Sequence, residues 1–150
     1  MSILEKSIEL NVPVTTAYNQ WTQFEEFPRF MEGVEQVRQV DDKHVYWKAS
    51  IGGKQKEWHS VITEQIPDHT IAWITQEGAK NTGRITFTRI RDDSSKLDLR
   101  LEYEPEGAIE HTGDVMGIVS ARVEGDLQRF KEFIESRRHE TGAWRGNVIS

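Results

Sequence analysis

Apolar residues change their spacing three times along this chain, and each change marks a new kind of element. Ile8, Leu10 and Val12 alternate with polar neighbours, which predicts a half-buried strand over residues 3–10. Pro13 ends it, because the residue before a proline is held to extended conformations. From Thr15 the apolar positions Ala17, Tyr18 and Trp21 recur at steps of three and four, the spacing of one helix face. A second short helix is predicted over residues 24–30, with Phe24, Phe27, Phe30 and the adjoining Met31 on its apolar side and Pro28 tolerated if it sits in the first turn.

Between Val34 and Tyr103 the period becomes two. Val45, Trp47 and Ala49 share one face, as do Trp58, Ser60 and Ile62, with Glu64 next on the same parity. Ile71, Trp73 and Thr75 follow, then Ile85 and Phe87, then Leu97, Leu99, Leu101 and Tyr103. Turn residues at Gly52-Gly53, Pro67-Asp68, residues 78–83 and Asp92-Asp93-Ser94-Ser95 separate the runs, so six strands in an antiparallel meander are expected. Beyond Pro105, Val115, Met116, Val119, Val123, Leu127, Phe130 and Ile134 form the stripe of an amphipathic helix of five turns or more. Gly117 and Gly125 each cost ~1 kcal/mol against Ala inside it and predict a bend or a later start. A tail over residues 141–150 carries one isolated ring, Trp144.

No repeat or linker divides the chain, so residues 1–150 read as one α+β domain. A sheet apolar on one face must cover that face, and only the terminal helix is long enough to do so. The expected architecture is a helix-grip fold. A curved, seven-stranded antiparallel sheet wraps the long C-terminal helix, and the two short helices after the first strand plug one end. Large rings at Trp47, Trp58, Trp73, Phe87 and Tyr103 share the inner face with the small residues Ala49, Ser60 and Thr75, an arrangement that leaves room. A ligand cavity is therefore expected, lined by Trp47, Trp58, Ser60, Ile62, Trp73, Thr75, Phe87, Leu101 and Tyr103 from the sheet and by Met116, Val119 and Val123 from the helix.

Several stretches resemble the START-like (SRPBCC) superfamily, in particular its polyketide cyclase/dehydrase branch. They are the segment around Val12-Pro13-Val14, the string from Trp21 to Met31, Ile66-Pro67-Asp68, Leu101-Glu102-Tyr103-Glu104-Pro105, and the helix through Asp126-Leu127-Gln128-Arg129-Phe130-Lys131. The resemblance covers nearly the whole chain. It implies the helix-grip fold and a function drawn from a family of lipid and hormone binders, aromatase/cyclases and quinone-binding proteins.

Composition narrows the chemistry. Net charge is −6, which disfavours partners that require phosphate neutralisation, so no nucleic-acid partner is expected. Absence of Cys removes disulfides, thiolate nucleophiles and cysteine-ligated zinc. No apolar run is long enough for a signal peptide or a membrane span, and a cytoplasmic location is expected. His44 and His59 fall on the polar strand face, His69 in a turn, and His111 and His139 flank the helix. No pair has metal-ligand spacing, so no metal is expected. A Gly-x-Ser-x-Gly motif and a phosphate loop are both missing, so no nucleotide or other cofactor is expected. Ser60, Glu64 and Tyr103 are the candidate acid/base groups.

Three functions fit these residues. The first is binding of a small hydrophobic or aromatic ligand of the lipid, quinone or polyketide-like kind. The second is an aromatase/cyclase or dehydratase acting on a polyketide-like substrate. The third is a protein-interaction module with a filled core, contacting a partner or a second copy through the exposed sheet edge or through the tail over residues 143–150, where Trp144 and Val148 offer the contacts. Homodimerisation is compatible with each.

Overall fold

The alternation over residues 34–103 folds as successive antiparallel hairpins, and the first strand returns beside the last. The computed structural model describes residues 2–51, 53–75, 81–103 and 113–149, with the side chains of 2, 51, 54, 103 and 113–118 outside that description. In chain order the elements are β1 (Ser2–Leu10), α1 (Val14–Trp21), a 3₁₀ helix (Phe24–Arg29), β2 (Val34–Gln39), β3 (His44–Ile51), β4 (Lys54–Ile66), β5 (Thr70–Thr75), β6 (Asn81–Arg91), β7 (Ser94–Tyr103), α2 (Gly113–Arg137) and β8 (Val148–Ile149). The sheet order is β1-β7-β6-β5-β4-β3-β2. It curls around α2 as a helix-grip fold, and the two-residue β8 is an addition to the seven expected strands.

Inward parity follows the predicted alternation on most strands. Val45 and Ala49 of β3, Ser60 of β4, Ile71 and Thr75 of β5, Ile85 and Phe87 of β6 and Leu97 of β7 are all buried. From α2, Leu127, Phe130 and Ile134 close on them. The ring of Trp21 binds the three helices together, with centroids 5.2 Å from Phe27, 6.2 Å from Phe30 and 4.8 Å from Phe130. This aromatic cluster fills the end of the molecule that the short helices were expected to plug.

Four expectations are corrected. The second short helix is 3₁₀, with Pro28 at its fifth position. A proline there would clash with a carbonyl one α-turn back, and the tighter winding avoids it. Gly83 lies within β6, opposite Trp73, and is not part of a turn; the rest of the predicted 78–83 turn lies largely outside the described residues. The long helix begins at Gly113 and continues through both glycines, because burial of its apolar stripe outweighs their weak propensity. Finally, β4 bulges between Ile62 and Glu64, which moves every later side chain to the opposite face. Gln65 becomes the wholly buried residue, and Glu64 turns outward to accept a bond from Arg84 at 2.5 Å.

Beyond the bulge, β3 has ended and β4 has a free edge. β8 takes that edge, pairing Val148 with Gln65 and Ile149 with Glu64. The tail reaches it through side-chain ties to α1. Gln20 and Thr141 exchange two bonds at 3.0 and 2.9 Å, and the Trp144 amide donates to the Thr22 hydroxyl at 3.0 Å.

Candidate functional site

Trp47 and Trp58 are direct cross-strand partners on β3 and β4, and their rings lie parallel, 5.9 Å apart. Trp73 on β5 continues this wall. Its ring lies flat across β6 because Gly83 opposite has no side chain: a Cβ there would sit 2.1 Å from Trp73 Cζ2. Only glycine permits that approach. Between these rings stand the small hydroxyls of Ser60 and, behind it, Thr75, buried and hydrogen-bonded to each other at 2.8 Å.

The helix face opposite contributes Val123, Asp126 and Leu127, and the helical plug contributes Trp21, Phe24, Phe27 and Met31. The space left among them is a cavity of about 290 Å³. Of the residues expected around a ligand, Trp47, Trp58, Ser60, Ile62, Trp73, Leu101 and Val123 line this cavity. Thr75 and Phe87 do not: Thr75 supports Ser60 from behind, and Phe87 packs edge-on against Tyr18 at 5.4 Å. Val119 is half-buried and also lies off the wall. The side chains of Tyr103 and Met116 lie outside the described residues, as does His111. Of the candidate acid/base groups, Ser60 reaches the cavity, whereas the bulge removes Glu64 from it.

The missed wall residues are of three kinds, the first being Trp21, Phe24, Phe27, Met31 and Leu127, which lie on the expected apolar helix faces and were assigned to the plug and the helix stripe. Val45, Ile71 and Leu99 share strand parity with residues already named, so the alternation carried that signal. Asp126 is different. It adjoins Leu127 at the border of the helix stripe, where an acid reads as solvated.

In the structure Asp126 is mostly covered, and its Oδ1 accepts bonds from the Glu32 amide, at 3.0 Å, and from the Arg129 guanidinium. Burial pushes its carboxyl above the ordinary carboxylate range, and the bonds from Arg129 and the Glu32 amide offset this only in part. Arg129 also donates to the Phe30 carbonyl at 3.0 Å and Arg122 to that of Glu32 at 2.9 Å, so three side chains latch α2 to the turn before β2. Gly33 in that turn has φ +83°, and a Cβ there would meet Arg122 Nη1 at 2.6 Å and the Ser50 carbonyl at 2.9 Å.

A second buried polar cluster lies under the tail. The Tyr18 hydroxyl and the Gln65 amide are close without closing a hydrogen bond, and burial pushes the Tyr18 phenol up. Arg145 covers the Tyr18 ring at 5.7 Å and pairs with Asp68 at 3.0 Å. Trp144 and Val148, the apolar residues offered to a partner in the third functional reading, pack against this chain's own core. On the outer sheet face His44 pairs with Asp41 at 2.8 Å, and His59 lies 5.5 Å from the Tyr46 ring. Among the described residues no three His, Asp or Glu side chains converge as metal ligands, and no helix is long and apolar enough to cross a membrane.

Residues 10–132 match the family described as polyketide cyclase/dehydrase and lipid transport. An uncharacterised 17.2 kDa protein from the melC2–rnhH intergenic region of Streptomyces lincolnensis is 51% identical over 150 residues, covering 99% of this chain and 100% of that one. Among solved structures, the Zhui aromatase/cyclase of Streptomyces sp. R1128 superposes with a TM-score of 0.77 at 15% identity, over 95% of this chain and 99% of that one. A START superfamily protein from Mycobacterium smegmatis gives 0.69 at 15% identity, over 90% and 95%. At these identities the two structures establish the shared fold.

Proposed function

This chain belongs to the polyketide cyclase/dehydrase and lipid transport family, and on that premise we propose that it binds one small hydrophobic or aromatic molecule, of the lipid, quinone or polyketide-like kind, between its sheet and α2. The observation that carries this reading is the cavity of about 290 Å³ walled by Trp47, Trp58 and Trp73. At interior density (~0.75) such a void accommodates on the order of a dozen non-hydrogen atoms. Covering ~200 Å² of apolar guest surface is worth about 5 kcal/mol at ~25 cal/mol/Å², before the costs of association. Flat rings suit a flat guest, since offset stacking on indole adds to area burial.

Native mass spectrometry of the purified protein, followed by solvent extraction, tests this reading. A stoichiometric apolar passenger, or uptake of one member of a lipid, quinone and polyphenol panel, is the expected result. An empty protein that takes up none of them would overturn it.

A second reading, catalysis of the aromatase/cyclase or dehydratase type, is favoured by one observation: a carboxyl, Asp126, on an otherwise apolar wall. Such a cavity would hold a flexible poly-ketone in a reactive conformer, and Asp126 would take the α-proton from the attacking carbon as the carbon–carbon bond forms and return it to the carbonyl oxygen that becomes the hydroxyl. Asp126→Asn would then lower cyclisation by roughly a hundredfold or more. Equal product formation by the two proteins would exclude Asp126 from that role.

A further inference from the structure

The polar groups of the cavity wall are few, and they are unequal. Ser60 is already engaged with Thr75, and Nε1 of Trp47 is sealed inside the wall without a partner. Among the described lining residues Asp126 is the one that ionises; no Lys, Arg or His stands beside it on the wall. Its Oδ1 is held from the protein side by two N–H donors, so the carboxyl is fixed in place and meets a guest as an acceptor. An acceptor on an otherwise apolar wall favours a guest that carries an O–H donor. It opposes a carboxylate, which would bring an unpaired charge into a low-dielectric space whose described lining carries no free cation to meet it. An ammonium group gains little in exchange, because Arg129 already neutralises Asp126 from behind.

Resting on the ligand-binding reading above, we propose that the guest is a neutral hydroxy-aromatic molecule whose hydroxyl donates to Asp126, and that aromatic and fatty acids are excluded in their ionised forms. The ring lies against Trp47, Trp58 and Trp73, and the hydroxyl points to α2.

A matched series tests this: naphthalene, 2-naphthol and 2-naphthoate titrated at neutral pH, read by tryptophan emission and calorimetry. In the unmodified protein 2-naphthol should bind about tenfold tighter than naphthalene, the worth of one good hydrogen bond, and 2-naphthoate at least tenfold weaker than 2-naphthol. Asp126→Asn should narrow the naphthol-to-naphthoate ratio by about tenfold. Naphthoate binding as tightly as naphthol, or naphthol no tighter than naphthalene, would overturn the proposal and leave the cavity's apolar binding intact. If none of the three binds, the ligand-binding reading fails, and this proposal with it. The wild-type ranking decides the matter even if the variant does not fold.

Discussion

Two residues set the character of the cavity by opposite means, Gly83 by what it lacks and Asp126 by what it carries. A methyl group at Gly83 would overlap the Trp73 ring at 2.1 Å, so Gly83→Ala must push that ring into the cavity or part β5 from β6. Overpacking of this kind costs about 1–3 kcal/mol. Urea unfolding should report that loss together with altered tryptophan emission; unchanged stability would mean that Trp73 has space elsewhere. For Asp126 the folded carboxyl titrates above its ordinary value, so the stability it contributes is full below that value and is lost as pH rises through the raised one. Stability measured from acid to neutral pH should therefore improve for Asp126→Asn relative to the parent across that window and run parallel above it. A difference that stays flat across the window would show that Asp126 ionises in the fold as it does in water.

At the scale of elements, β4 and the tail depend on each other. The bulge after Ile62 buries Gln65, β3 stops short of it, and β8 covers the edge that remains. Removing residues 141–150 would expose Val148's site, now 3% accessible, and break the exchange between Gln20 and Thr141. A loss of about 2–4 kcal/mol is expected, with the fold retained. Size-exclusion and thermal unfolding would check this, and a truncated protein of equal stability would mean that the tail contributes nothing to the core. These features were the least legible in the sequence. A bulge inserts one residue without a marker of its own, so Glu64 followed the parity of Ile62 until the pairing showed otherwise. The tail has no periodicity, and its partner strand is defined only by where β3 ends. Gly83 read as a turn residue because its reason, the ring of Trp73, sits on another strand.

At the scale of the whole molecule, the order of periods along the chain was enough to give the curled sheet, the gripping helix and the tryptophan wall. Spacing of two puts Trp47, Trp58 and Trp73 each on the apolar face of its own strand, and the register that buries those faces brings the three to one wall, which is why they were legible. Asp126 was not, because a helical stripe identifies apolar positions and is silent on an acid at its border. The central claim, that the space between this wall and α2 admits a guest, is tested most directly by titrating tryptophan emission with 2-naphthol in the native protein and in Val123→Phe, whose larger side chain fills the cavity from α2. Saturable quenching in the native protein, weakened tenfold or more in the folded variant, is the predicted result. Absence of saturable quenching, or equal quenching in both proteins, would contradict it.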